Sequence, residues 1–308
     1  MFGLKGVTFP REVDVKINGA VIRMLGEENM YKLKGKDQKS FGQKLNGKEE
    51  QDKNQFWKVM PGPNGLTVNA WDKCGLKVEY DGTFVAIITV VSKYAGKLKG
   101  MCGNCNGKSA DDWTTKSNKL LTTASIEKRT VILGDSWIVT DDSSNPSKSC
   151  TTSASPPVKC KDNLKDKLTS GKSQCGRLKE SYFAACSKKL PHFEDYYNDC
   201  YYDACSMYNK NPKIAPVNVM KAVCSTISEV ATLCISKNVA VTGWRNDFCP
   251  KKCGENMEYK YKVTECMNTC NEPNAAKDCS IGETEGCVCK SGFVFDDGKC
   301  IKQSSCPT

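Results

Sequence analysis

The chain has 308 residues, a formal net charge of +10, 26% charged and 8% aromatic residues, and 20 cysteines beside a single histidine. Such a composition excludes a disordered chain, and cysteines at this density exclude a reducing compartment, where disulfides rarely persist. With His192 alone, histidine triads and multi-histidine metal centres are excluded, so the reading is of a non-enzymatic, secreted, extracellular protein.

The charge is carried mostly by lysine, a point charge suited to loose attraction toward acidic glycans or surfaces. Nucleic-acid readers lean on clustered arginine and stacking aromatics, so no nucleic-acid partner is expected. No apolar run is long enough to span a bilayer, so no transmembrane segment is expected. The opening MFGLKGVTFPREV lacks the apolar core of a signal peptide and reads as the start of a mature piece or processed subunit. N-glycosylation is not expected outside the variant sequon Asn268-Thr-Cys.

Taken in chain order, residues 1–140 read as β structure. Alternation over Val13–Ile17, Leu66–Ala70 and Leu76–Tyr80, with turns at Asn18-Gly19 and Asp81-Gly82, predicts hairpins. The apolar run from Thr83 to Val91 predicts a strand buried on both faces of a two-sheet sandwich. A Ser/Thr/Pro-rich stretch, Asp141–Val158, is a linker. Residues 151–249 turn helical, with Leu164, Leu168, Leu178 and Phe183 spaced for apolar faces and the pattern continuing over Val217–Ile235. Aromatics at Phe193, Tyr196, Tyr197, Tyr201 and Tyr202 read as core and rim of a helical bundle. Residues 250–308 hold eight cysteines from Cys253 to Cys306 among Gly, Asn and Pro, the pattern of a small irregular or β module stapled by disulfides.

The stretch Asn104-Cys-Asn106-Gly-Lys108-Ser-Ala-Asp111-Asp112 sets oxygen-bearing side chains around a glycine turn. Ca²⁺ takes six to eight oxygens in flexible geometry, which such a stretch supplies; the same residues also suit a simple capped turn. Cys102-Gly-Asn-Cys105 has C-x-x-C form and reads as structural bridging, with thiol exchange the other option. Cys74, Cys102, Cys105 and Cys150 allow three internal pairings or a bond to another chain.

Residues 100–113, GMCGNCNGKSADDW, resemble the signature of von Willebrand factor type D domains, and the flanking Gly75–Gly82 and Gly134-Asp-Ser-Trp137 agree. Cys160, Cys175, Cys186, Cys200, Cys205, Cys224, Cys234 and Cys249, with Phe183-x-x-Cys186 and Trp244-Arg245, resemble the eight-cysteine domain that follows type D domains. The tail from Cys253 through Cys266-Met-Asn-Thr-Cys270 and Gly286-Cys-Val-Cys289 resembles a trypsin-inhibitor-like cysteine-rich domain. In this order the three resemble the assembly found in gel-forming mucins, zonadhesin-like proteins and invertebrate adhesive proteins.

That resemblance implies three domains, 1–150, 151–249 and 250–308. The first is an all-β sandwich lacking the Gly-Asp-Pro-His and Thr-Phe-Asp-Gly segments that open the family's domain. It implies Asn104, Asn106, Asp111 and Asp112 as side-chain ligands of Ca²⁺, with the Lys108 carbonyl. It implies the bridges Cys253–Cys287, Cys266–Cys279, Cys270–Cys306 and Cys289–Cys300, with one family bridge lost whole. Cys74 and Cys105 are additional to the family pattern, which suggests that they pair. The function implied is that of an adhesive, glycoprotein-type subunit of disulfide-linked extracellular assemblies, whose partner is another fragment or copy of such a protein. The alternative is a secreted serine protease inhibitor acting through Cys279–Cys287, a loop read as loose and acidic because one bracing cysteine is absent. A lipid-carrying yolk-type protein ranks last, since such proteins lack the two cysteine modules.

Overall fold

The computed structural model describes residues 2–4, 7–10, 12–25, 30–34, 40–44, 50–51, 54, 56–83, 85–122, 126–139, 166, 168, 174–210, 215–296 and 298–306. The linker 141–158, Cys150, Cys160 and Leu164 lie outside them. The chain forms two compact units, Met1–Thr89 together with Lys159–Thr308, and Val90–Val158.

The first unit begins with antiparallel hairpins. Strands Glu12–Ile17 and Ala20–Leu25 are joined by Asn18-Gly19 at φ 47° and 79°, a two-residue turn whose twist matches that of the strands. Met30–Lys34 and Ser40–Lys44 extend this to a four-stranded sheet. A second sheet runs in the order Ala86–Val90, Leu76–Tyr80, Gly65–Ala70, Lys58–Gly62, Glu50–Gln51. Between its second and third strands the link is one helical turn, Trp71–Cys74, closed by Gly75 at φ 71°, where a side chain would strain the left-handed cap.

Val15, Ile17, Ile22 and Met24 of the first sheet meet Val59, Leu66, Val68, Val78 and Tyr80 of the second in one core. The alternate residues of the second sheet, Thr67, Asn69, Lys77 and Met60, are buried as well. Met60 packs on Cys266 and Ile281 of the C-terminal module, which covers that face. Gly65–Ala70 and Leu76–Tyr80 are therefore the strands covered on both sides. The expectation for Thr83–Val91 is corrected: Ala86–Val90 is an edge strand, with Ile88 61% exposed. An apolar run records hydrophobicity, not which neighbours arrive to cover it.

Helices Phe193–Lys210 and Ala215–Ser236 dominate the middle module. Leu168, Leu178, Phe183, Val219, Val223, Ile227, Val230 and Trp244 fill its core at 1% exposure or less. Tyr197 is buried, Phe193, Tyr196 and Tyr201 pack on that core, and Tyr202 is exposed. Bridges Cys175–Cys200, Cys186–Cys234 and Cys224–Cys249 cross the module, and Cys205 is also disulfide-bonded. The stretch Val219–Ser236 is long and apolar enough to cross a membrane by composition. Two of these bridges and the buried residues just named make it the central helix of this core.

The C-terminal module consists of an antiparallel strand pair, Met257–Thr264 with Glu283–Cys289, and a hairpin, Phe293–Asp296 with Lys299–Lys302. It is stapled by Cys253–Cys287, Cys266–Cys279, Cys270–Cys306 and Cys289–Cys300.

In the second unit, Ile126–Ser136 is an α-helix within a stretch expected to be β. Arg129 and Leu133, four residues apart, share a face: the Arg129 guanidinium lies 4.6 Å over the Trp113 ring, and Leu133 is buried.

Candidate functional site

In the second unit the residues expected to hold calcium come together around Gly103. Its φ is 77°, and a Cβ there would clash with the Asp112 carboxylate. Glycine thus lets Asp112 Oδ1 reach back and accept the Asn104 backbone N–H at 3.0 Å. The amides of Asn104 and Asn106 donate to Asp111 Oδ2 at 3.3 and 2.7 Å. Asn104 Oδ1 accepts the Asn106 N–H at 3.0 Å, and Asn106 Oδ1 accepts the Lys108 N–H at 2.7 Å. Asp111 Oδ1 is buried with no hydrogen-bond partner among the described residues.

The donors are all oxygens, and one buried carboxylate oxygen is unsatisfied, which fits a hard divalent cation. Among the described residues no three His, Cys, Asp or Glu converge on a metal position. A cation here would therefore need the Asn carbonyl oxygens and a backbone carbonyl, and their amide groups would turn away from Asp111.

Cys102 and Cys105 flank this turn as exposed free thiols. Cys74 is also free; its Sγ lies 3.5 Å from the Ala70 carbonyl and packs at the edge of the sandwich core. The Cys74 side chain is turned toward its own sheet, and Cys105, with which it is expected to pair, belongs to the second unit. Cys102 and Cys105 are not bridged to each other.

The first unit contains a polar node that the sequence reading did not anticipate. Glu285 is fully buried. Its Oε1 accepts from Arg245 Nη2 at 2.6 Å, Arg245 Nε at 3.1 Å and Ser228 Oγ at 2.6 Å. Its Oε2 accepts from Trp244 Nε1 at 3.0 Å and the Tyr259 hydroxyl at 2.6 Å. Burial and the Glu285 carboxylate push the Tyr259 phenol well up, so it stays a donor. Helix, loop and strand are joined at one carboxylate.

Nearby, Lys77 pairs with Glu265 and, at 3.0 Å, with Glu79, and Lys58 pairs with Glu272 at 3.2 Å. The Asn64 amide donates to the Glu285 carbonyl, and the Cys287 N–H to the Pro63 carbonyl at 3.3 Å. The sheet is thereby tied to the strand Glu283–Cys289. That strand corrects the expectation of a loose acidic loop at Cys279–Cys287: Thr284, Glu285, Gly286 and Cys287 are buried. An inhibitor offers its loop outward to a protease cleft with little ordering cost; here the half from Thr284 to Cys287 faces inward, while Ser280, Gly282 and Glu283 are exposed. The one visible signal was Trp244-Arg245, whose cation is matched by Glu285.

A cleft of about 920 Å³ lies beside the node, lined by Asp81 on the sheet and by Ser225, Ser228 and Glu229 on the helix. Burial, then Asp81 and Asp199, push Glu229 up to about 7. Burial, then Asp199, push Asp203 up to about 6. For an acid with a raised folded pKa, the folded state holds more protons than the unfolded one between an unfolded value near 4.3 and the folded value. Stability from Glu229 therefore falls as pH rises from about 4.5 to about 7 and is level above that. Melting temperature is expected to be higher at pH 5.5 than at pH 7.5, by less in Glu229→Gln; equal slopes in the two proteins would contradict the assignment.

Residues 3–119 match the von Willebrand factor type D domain, residues 174–250 the C8 domain and residues 253–306 the trypsin-inhibitor-like cysteine-rich domain. Zonadhesin of Sus scrofa is 28% identical over 253 residues, covering 80% of this chain and 9% of its own length. Zonadhesin of Homo sapiens is 30% identical over 253 residues, covering 80% of this chain and 8% of its own. Von Willebrand factor of Bos taurus is 27% identical over 240 residues, covering 75% and 22%. The chain thus spans less than a quarter of the length of each of these relatives.

Proposed function

From the premise that the chain carries a von Willebrand factor type D domain, a C8 domain and a trypsin-inhibitor-like domain in that order, we propose that it is a secreted, non-enzymatic subunit of disulfide-linked extracellular assemblies. The observation that carries this reading is the contrast between bridged and free cysteines. All four bridges of the C-terminal module close internally, while Cys102 and Cys105 remain exposed thiols. In an oxidising compartment an exposed thiol pair is the natural point of attachment to another copy or fragment. Mass spectrometry of the native protein under non-reducing conditions tests this. A peptide of a second chain bonded to Cys102 or Cys105 is expected; both recovered as free thiols in the secreted protein would overturn the reading.

The Asn104–Asp112 turn acts in this reading as a calcium loop that stiffens the segment bearing those thiols. The unsatisfied Asp111 Oδ1 supports it. Calorimetric titration with Ca²⁺ is expected to give one binding event that Asp112→Ala abolishes; an unchanged isotherm in the variant would rule out this loop as the site.

A further inference from the structure

Between Lys93 and Lys119 the chain carries six lysines, Lys93, Lys97, Lys99, Lys108, Lys116 and Lys119, against two acids, Asp111 and Asp112, and no arginine. All six lysines are exposed. Both acids are turned into the loop, where they accept the hydrogen bonds of Asn104 and Asn106. No lysine of the six forms an ion pair among the described residues, whereas Lys58, Lys77, Lys179, Lys260 and Lys262 of the other unit each hold a carboxylate.

The backbone gathers these cations. The Gly96 N–H donates to the Asn104 carbonyl at 2.8 Å, folding Lys93–Lys99 back on the turn that bears Lys108. A tight turn, in which the Thr115 N–H donates to the Lys119 carbonyl at 3.0 Å, presents Lys116 and Lys119. The segment therefore shows solvent a positive surface whose two counter-charges are half-buried and turned into the loop, the condition for a local potential that draws an anionic polymer.

We propose that the Lys93–Lys119 segment is a docking surface for a linear sulfated polysaccharide. Lysine ammoniums are compact, rotatable donors that suit spaced sulfates better than the planar, bidentate recognition that arginine performs. Single-stranded nucleic acid is disfavoured because its bases need open aromatic faces. Here Tyr94 lies under Lys93 at 5.2 Å and Trp113 under Arg129 at 4.6 Å. Sulfate groups also remain ionised across physiological pH, and cations spread over several turns match a long repeating anion better than a short acidic peptide. This surface is independent of the thiols invoked for assembly and can fail while that reading stands.

The test uses the full 308-residue chain on immobilised heparin. The variant K97E/K99E/K108E is compared with K237E/K277E/K302E, which makes the same change in net charge at exposed lysines elsewhere. The first variant is expected to bind about tenfold more weakly or worse at physiological salt, scaling from the attraction of each lysine to an anionic surface. The second is expected to elute with the wild type. Circular dichroism and a free-thiol count check that both variants are folded. Equal weakening of the two variants would reduce the effect to net charge and overturn the proposal. Displacement of the wild type from heparin by polyglutamate as readily as by free heparin would also overturn it, in favour of an acidic peptide.

Discussion

Glu285→Ala is expected to destabilise the first unit by about 3–5 kcal/mol, the usual cost of removing one partner of a buried ion pair. Arg245, 8% exposed, would keep its charge with no carboxylate beside it, its remaining acceptors being the Cys249 carbonyl, at 2.7 Å, and the Tyr259 hydroxyl, at 3.1 Å, with the faces of Trp244 and Tyr259 around it. The Trp244 N–H, Tyr259 hydroxyl and Ser228 hydroxyl would lose their acceptor together. Glu285→Gln keeps the shape and one acceptor oxygen but removes the charge, so an intermediate loss is expected. Denaturant unfolding followed by tryptophan fluorescence reads both, because Trp244 reports on the node directly. A loss below about 1 kcal/mol for the alanine variant, the level of an exposed pair, would mean that the node does not hold the modules together.

The second large effect is expected from the Cys186–Cys234 bridge. It closes 48 residues between the short helix Ala184–Ser187 and the central helix Ala215–Ser236, and both cysteines are fully buried. Replacing both by alanine frees the unfolded chain, worth about 4 kcal/mol for a loop of this length, and leaves space where the sulfurs packed. Cys266–Cys279 closes 13 residues, for which the same relation gives about 3 kcal/mol. The urea midpoint of the Cys186/Cys234 variant is therefore expected to lie below that of the Cys266/Cys279 variant. The reverse order would show that strain in the folded state, not loop length and burial, sets the ranking.

Much of the architecture was legible in the amino-acid order because it is recorded locally. Asn18-Gly19 requires two positive φ values and takes them. The alternation of Leu76–Tyr80 marks a strand, and the apolar spacing of Val217–Ile235 falls inside one helix. Cysteine spacing separates the helical module from the stapled one, and the three domains follow in the order that the family resemblance implied. The helix Ile126–Ser136 was missed because a short apolar stretch, Val131–Leu133, has no period long enough to tell strand from helix. The packing of Arg129 on Trp113 is what gives that helix its face.

Periodicity and spacing, which act over a few residues, determined which segments are strands and helices and which cysteines share a module. Tertiary structure alone decided which strand is an edge, that Cys74 faces its own sheet, and that Glu285 is a buried anchor rather than part of an exposed loop. Those outcomes rest on contacts such as Glu285 with Ser228, 57 residues away, and Lys77 with Glu265, 188 residues away. No local pattern encodes them, because a charge is tolerated in a core only where the completed fold delivers its partner.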